Sequence, residues 1–335
     1  MSTREYTVVG GGAIGGTLAF HLARSGHEVR IIDADTAHVE AIRRNGLILR
    51  GSDGDQRAEV EAFTVPDAPA SIERVLLAVK AQATEQVLPW IAQRLTSQGF
   101  VVSLQNGLNE QAIAAALGPE RTIGAFVNLF ADVVEPGVVR DGGLGALVVG
   151  EPDGRITERV ERIVADLQAW GPAKATDNVD GYLWAKLGFG AMLTTTSLAD
   201  APMADLIDRH RPLMHAITAE VLQVALARGL TLEAFDQFDP VAYLPVSSDE
   251  ERERATDRLV AWLRKQPKDR SGIWRDIVVR HRPVEVHHHY RPVIAHAAEQ
   301  GAKVPLLTVL LARLSEVEAG LPMTEDHLNE LERNL

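Results

Sequence analysis

The sequence predicts a two-domain protein, with an α/β domain built on a doubly wound sheet over residues 1–175 and an all-α domain over 176–335. Three observations predict it. Strand-like and helix-like runs alternate through the first half, the pattern of a mainly parallel sheet covered on both faces. After Thr176 the strand-like runs stop, and long helical patterns with charged faces continue to Leu335. A chain of 335 residues also exceeds what one hydrophobic core ordinarily organises.

The elements follow in order. YTVV at 6–9 reads as a strand, Ala13 to Ser25 as a helix, and EVRII leading into Asp33 as a second strand, which together make a βαβ unit. Further β-rich runs are RVLLAV at 74–79, FVVSL at 100–104, TIGAFVNLF at 122–130 and ALVVG at 146–150. PGVVRDGGLGALVV reads as a hairpin at the sheet edge, with Gly142 and Gly143 in its turn. Between Phe238 and Glu253, Pro240, Pro245 and the start of a DEERER run indicate a connection followed by a solvated helix start. The apolar stretch KVPLLTVLLARLSEV is expected to be a core helix, and a homodimer of the whole protein is a further expectation.

Composition narrows the function. Hydrophobic residues at 46% and charged residues at 24% suit a packed globular chain. A formal charge of -12, spread along the chain, argues against nucleic acid or an anionic membrane as partner and favours a small molecule. Without cysteine there is no disulfide, no thiolate metal site and no cysteine nucleophile, which fits a reducing compartment. The apolar stretch after Arg4 superficially resembles a signal peptide, but its glycines and the lack of an A-x-A-like site favour a strand, a turn and a helix. PLLTVLLARL is about half the ~20 residues a membrane span needs. A cytoplasmic protein is expected.

The sharpest local signal is Gly10-Gly11-Gly12-Ala13-Ile14-Gly15, a G-x-G-x-x-G match placed between a buried strand and a helix start. Gly10 would permit the tight turn, Gly12 the approach of a pyrophosphate, and Gly15 close helix-to-strand packing. The amides of Ala13 and Ile14 open the helix toward an anion. This is a Rossmann-type dinucleotide site. Asp33, 18 residues beyond Gly15, stands at a strand end where a carboxylate receives the ribose 2'-hydroxyl and repels a 2'-phosphate. NAD is therefore expected over NADP, with Arg43 and Arg44 leaving NADP open. Asp35 offers a cap for the helix starting near Ala37.

Taken in order, GGGAIGG at 10–16, AVKAQ at 78–82, LQNGLN at 104–109, LWAKL at 183–187, SGIWRDI at 271–277 and the VEV around Glu285 resemble the ketopantoate reductase (2-dehydropantoate 2-reductase) family over essentially the whole chain. The resemblance implies a Rossmann domain followed by a helical domain of the 6-phosphogluconate dehydrogenase C-terminal type, with the active site in the cleft between them. It implies hydride transfer between NAD or NADP and C2 of a small 2-keto or 2-hydroxy acid. The family default is 2-dehydropantoate to pantoate, in pantothenate biosynthesis.

Residue by residue, the resemblance makes Lys186 the general acid at the C2 oxygen. A ketone receiving hydride becomes an alkoxide, which an ammonium both stabilises and protonates. Glu285 would face the lysine and the hydroxyl end of the substrate. Asn106 would bind cofactor or substrate, Lys80 would line the nicotinamide side, and Ser271 would hold the substrate carboxylate. Without the family, Lys186 and Glu285 read as helix-surface residues and Asn106-Gly107 as a turn.

Two departures stand out, the first bearing on the substrate and the second on the role of Glu285. The family's asparagines one and two helical turns after the lysine are here Gly190 and Thr194, with Thr194, Thr195 and Thr196 offering hydroxyls or simple packing. From Asp276 to Glu285 the chain is also one residue longer than the family's usual motif. The run His287-His288-His289 invites a metal, but neighbours on a helix point about 100° apart, and no further ligands are evident. No metal is expected, and one histidine is expected at the substrate pocket. Alternatives are an NAD-dependent 2-hydroxy acid dehydrogenase with another substrate, and a non-catalytic dinucleotide sensor, against which Lys186 and Glu285 together speak.

Overall fold

A computed structural model describes residues 4–51, 54–129, 131–143, 145–266 and 268–335. The chain forms two compact units, Met1–Val179 and Asp180–Leu335. The first unit holds the strands β1 (Glu5–Val9), β2 (Glu28–Asp33), β3 (Leu47–Gly51), β4 (Gly54–Ala58), β5 (Glu61–Thr64) and β6 (Ile72–Leu77). It continues with β7 (Leu95–Ser103), β8 (Thr122–Asn128), β9 (Ala131–Glu135), β10 (Val138–Asp141), β11 (Ala146–Gly150) and β12 (Ala173–Ala175). Its helices are α1 (Ala13–Arg24), α2 (Thr36–Asn45), α3 (Thr84–Arg94), α4 (Glu110–Leu117) and α5 (Glu158–Leu167).

Eight strands make one sheet in the order β12-β11-β8-β7-β6-β1-β2-β5, parallel except where β11 runs against β8. The chain builds outward from β1 in one direction and then in the other, so the sheet's switch point lies between β1 and β6. Its central strands are apolar on both faces for a physical reason. Val8, Leu76 and Val102 enter one core cluster, while Val9, Leu77 and Val101 enter a second. Successive side chains thus feed opposite layers, as a sheet sandwiched by helices requires.

The predicted hairpin is not there. β10 pairs antiparallel with β9 and parallel with β3 in a second, four-stranded sheet of order β4-β3-β10-β9, whereas β11 joins the main sheet. Gly142 and Gly143 therefore connect two sheets. The true hairpin turn is Pro136-Gly137, where proline fixes its own φ and Gly137 takes φ 77. The run TIGAFVNLF does not remain one strand: β8 ends at Asn128 and the chain crosses to β9. Phe130 in that run and Leu144 in the predicted hairpin lie outside the described residues. The strands β3, β4, β5, β9 and β12 have no counterpart in the sequence reading. β4 is GDQRA, exposed and poor in β-formers, and is held by its register with β3.

The second unit is helical: α6 (Val179–Thr196), α7 (Met203–Arg209), α8 (Arg211–Ala227), α9 (Asp249–Leu263), α10 (Gly272–Val278), α11 (Val286–Glu299), α12 (Pro305–Glu318) and α13 (Asp326–Glu332). Among its described residues there is no strand, only an isolated bridge between Phe235 and Phe238. α6 buries Leu183, Trp184, Leu187, Phe189, Ala191 and Met192, so it is apolar nearly all round and runs through the interior. Gly188 lets α8 approach, since a Cβ there would lie 2.6 Å from Leu222. α12 buries Leu307, Leu310, Leu314 and Val317, the core role expected of it. α9 starts on a capping box of Ser248 and Glu251, and its first turn is solvated.

Candidate active site

In the first unit the glycine turn joins β1 to α1. Gly10 has φ 96, and a Cβ on it would sit 2.7 Å from the amide nitrogen of Val79, at the switch point beside β6. A Cβ on Gly15 would fall 2.0 Å from the Gly10 carbonyl oxygen, so only glycine lets α1 pack this closely. Gly12 differs, because nothing lies within 4 Å of where its Cβ would be. It caps α1 without any side-chain bond, and Gly12, Ala13 and Ile14 are partly exposed between the buried Gly11 and Gly15. The turn therefore leaves open backbone and helix N-terminal amides facing free space, which fits a pyrophosphate.

Asp33 ends β2. Its Oδ2 accepts the Gly11 amide at 2.7 Å and its Oδ1 accepts the Asp35 amide at 2.9 Å. Each oxygen keeps a further lone pair for a hydroxyl. Asp35 caps α2 by accepting the His38 amide, so the two aspartates hold distinct roles. Arg43 is engaged elsewhere: its Nε donates to the Ala62 carbonyl and its guanidinium lies over Phe63. Arg44 is exposed.

Lys80 follows β6 and starts a short 3-10 turn, Ala81–Ala83, with its side chain partly exposed. Asn106 is exposed after β7, and Gly107 beside it takes φ 87. Gln105, to which the sequence reading gave no role, ties these loops together. Its amide donates to the Val79 carbonyl at 2.8 Å and to the Thr84 hydroxyl at 2.7 Å. Asn109 in turn donates to the Asn106 carbonyl. Both loops leave the carboxyl ends of parallel strands, the edge at which open α/β sheets bind ligands.

In the second unit Lys186 lies on α6 among buried apolar neighbours. Burial pushes its ammonium down to about 8, against the opposing pull of the Glu285 and Asp236 carboxylates. Asp236 was not foreseen. It sits in the tight turn Phe235–Phe238, with φ 48, a conformation that aspartate tolerates better than most residues. Phe189, one helical turn beyond Lys186, packs its ring 6.1 Å from Phe235 and 5.3 Å from Phe238, pinning that turn against α6.

Glu285 precedes α11, and its carboxylate takes no part in capping the helix. Glu318 braces it from both sides, accepting the Val284 amide at 2.9 Å and meeting His287 Nε2 at 3.2 Å. The longer spacing from Asp276 is taken up by a loop folded back on that residue. Arg280 and Arg282 both donate to Asp276 Oδ1, while His281 between them adopts φ 48. Of the three histidines, His287 is engaged with Glu318 and His288 is exposed. His289 places Nε2 3.8 Å from Glu285 Oε2, and among the described residues that buried nitrogen finds no hydrogen-bond partner. No group of three His, Asp or Glu side chains among the described residues could hold a metal.

Thr194 and Ser271 are placed differently from their expected roles. Thr194 is 1% exposed and its hydroxyl donates to the Gly190 carbonyl at 2.8 Å, so it presents no surface to a ligand. The Thr195 and Thr196 hydroxyls likewise bond back within α6. Ser271 is buried, and its Oγ caps α10 by accepting the Trp274 amide at 3.2 Å, which leaves only its hydroxyl proton to offer.

Two family models cover most of the chain: "Ketopantoate reductase PanE/ApbA" matches residues 6–154, and its C-terminal counterpart matches residues 178–318. The chain belongs to the ketopantoate reductase family. A 2-dehydropantoate 2-reductase of Mesorhizobium japonicum is 32% identical over 253 residues, 69% of this chain and 74% of that one. The crystal structure of 2-dehydropantoate 2-reductase from Geobacter metallireducens aligns with TM-score 0.80 at 27% identity, covering 93% of this chain and 99% of its own. A D-mandelate dehydrogenase in a ternary complex with NADH and anilino(oxo)acetate shares the fold, with TM-score 0.76 at 19% identity, covering 97% and 99%.

Like its family, this ketopantoate reductase homologue is an oxidoreductase that uses a nicotinamide dinucleotide and acts on a CH–OH group. One departure from the family motif, Gly190, has a local cause. A Cβ at Gly190 would lie 3.0 Å from the Tyr290 hydroxyl, which donates to the Leu187 carbonyl at 2.7 Å. Tyr290 is buried and fills the space a larger residue at 190 would need. The HHHY run carried this signal in its tyrosine rather than its histidines.

Proposed function

We propose that this protein reduces the C2 ketone of 2-dehydropantoate, or of a 2-keto acid of similar size, with Lys186 as the proton donor. The observation that carries this is a partly buried lysine brought to about 8 beside two carboxylates. A group poised near neutral pH is protonated often enough to donate, yet acidic enough to give up its proton. At the C2 oxygen its ammonium opposes the developing charge and then supplies the proton. Glu285 holds the lysine charged and accepts from the substrate's hydroxyl. His289 Nε2, with no hydrogen-bond partner among the described residues, is the donor left for a further polar group of the substrate.

The glycine turn, the α1 amides and Asp33 would hold the dinucleotide, with Lys80 and Asn106 at its nicotinamide end. Bound there, the reduced nicotinamide supplies hydride. Asp33 at the strand end and the engagement of Arg43 with Ala62 and Phe63 favour NAD over NADP. Homodimerisation and a cytoplasmic setting belong to the same proposal, and light scattering of the purified protein tests the former.

The test is oxidation of NADH and of NADPH by the purified protein with 2-dehydropantoate, beside a panel of other 2-keto acids. Turnover of 2-dehydropantoate with NADH preferred is the expected result. Turnover of another acid alone would reassign the substrate and leave the chemistry, and no turnover with any acid would reject the proposal.

A further inference from the structure

One buried side chain next to the glycine turn belongs to none of the roles above. His38, on the first turn of α2, is 4% exposed and bonded at both ring nitrogens. Nε2 lies 3.0 Å from the Gly11 carbonyl oxygen, and Nδ1 lies 3.0 Å from the Gly137 amide nitrogen. A carbonyl only accepts and a backbone amide only donates, which settles the ring's state: neutral, with its proton on Nε2. The ring spans from the hairpin turn of the second sheet to the middle of the glycine turn.

Gly11 is thereby held on both of its peptide groups, its N–H by Asp33 Oδ2 at 2.7 Å and its carbonyl by His38. Its backbone lies close against Ile31, since a Cβ added to Gly11 would lie 2.6 Å from that side chain. The second sheet presses on the same place: a Cβ on Gly16 would meet both the Gly11 carbonyl oxygen and Val139 of β10 at 2.8 Å. Gly11 immediately precedes the open backbone of Gly12 and the free amides of α1. The geometry points to His38 as a positioning residue that fixes the Gly11 carbonyl, and with it the peptide leading into Gly12, so that the second sheet, through Gly137, sets the dinucleotide affinity of the turn. This inference rests on the reading of that turn as the dinucleotide site.

Two substitutions separate the halves of the bridge. In His38→Gln the amide nitrogen can take the place of Nε2 and still donate to Gly11. In His38→Asn the amide oxygen can take the place of Nδ1 and still accept from Gly137, but Gly11 loses its donor. Fluorescence titration with NADH should show about a tenfold weaker Kd for His38→Asn, which frees Gly11, and about a threefold weaker Kd for His38→Gln, which keeps that donor but lets go of Gly137. In steady state the asparagine variant should raise KM for NADH and leave kcat near wild type, while both variants lower Tm.

Equal wild-type affinity in both variants, with lowered Tm, would show a merely structural histidine and overturn the inference. Wild-type protein that binds neither NADH nor NADPH would instead reject the dinucleotide reading, and the inference with it. A second measurement needs no variant: in hydrogen–deuterium exchange of the wild type, NADH should slow exchange at residues 137–139 along with the glycine turn. Protection of the turn alone would contradict the coupling.

Discussion

The two candidate sites are built from different material. The glycine turn works through backbone: Gly10 and Gly15 are small because main-chain atoms of Val79 and of Gly10 itself occupy the space, and Gly12 is open because nothing does. The Lys186 site works through side chains drawn from far along the chain, with the charges of Glu285 and Asp236 acting on a lysine on α6. A backbone site is written in one short spacing, whereas a side-chain site is written in whatever the tertiary fold brings together. The first therefore tolerates no added atom, and the second tolerates no lost charge.

The largest effect tests that contrast directly. Lys186→Ala should lower kcat by about 10² to 10⁴ while NADH affinity stays near wild type, as steady-state kinetics and a binding titration would show. A parallel loss of NADH binding would mean the two sites are not separable in this way. Among the glycines, Gly15→Ala should lower both Tm and NADH affinity, because its Cβ collides with the Gly10 carbonyl at 2.0 Å. Gly12→Ala should weaken NADH binding by about tenfold or more and leave Tm within about a degree, since its Cβ meets only the space assigned to the pyrophosphate. Similar Tm losses in both would remove the distinction between packing and ligand glycines.

Smaller effects sharpen the side-chain half. Glu285 and Asp236 raise the lysine's pKa, so Glu285→Gln should move the midpoint of the pH–rate profile below about 8, and Asp236→Asn should move it less in the same direction. A shift upward in either variant would contradict the assigned causes. Ser271→Ala removes the cap of α10 and should cost about 1 kcal/mol in denaturant unfolding. A rise in KM for the keto acid beyond that small loss of stability would restore Ser271 as a substrate ligand.

What was legible followed the same division. The βαβ start, the switch to helices after Thr176 and the glycine turn were readable because hydrophobic period and glycine spacing are local. The second sheet was not, because β4 is polar and is made a strand by its pairing with β3, while β10, read as half of a hairpin with β11, pairs instead with β9 and β3. The predicted hairpin failed for a related reason. Gly142 and Gly143 look like a turn, but the turn that closes a hairpin is Pro136-Gly137, and the glycine pair carries the chain from one sheet to the other.

In the helical unit, resemblance picked out Lys186 and Glu285 but not what surrounds them. Asp236 lies in an unremarkable Phe-Asp-Gln-Phe stretch whose meaning appears only when Phe189 packs against it. Thr194 looked available at helical spacing from Lys186, yet its hydroxyl turns back to Gly190 beneath Tyr290. Glu318 braces Glu285 from 33 positions away in the sequence, a distance no motif spans.

The most direct test of the central claim is the pH dependence of kcat/KM in both directions, measured with wild-type protein, NADH and 2-dehydropantoate for reduction, and NAD and pantoate for oxidation. With Lys186 donating its proton in reduction, that rate should be steady at low pH and fall as pH rises through about 8. Oxidation needs the neutral amine as base and should rise through the same pH. A reduction profile that is flat from about pH 6 to about pH 10, or one that tracks the oxidation profile, would contradict the role assigned to Lys186.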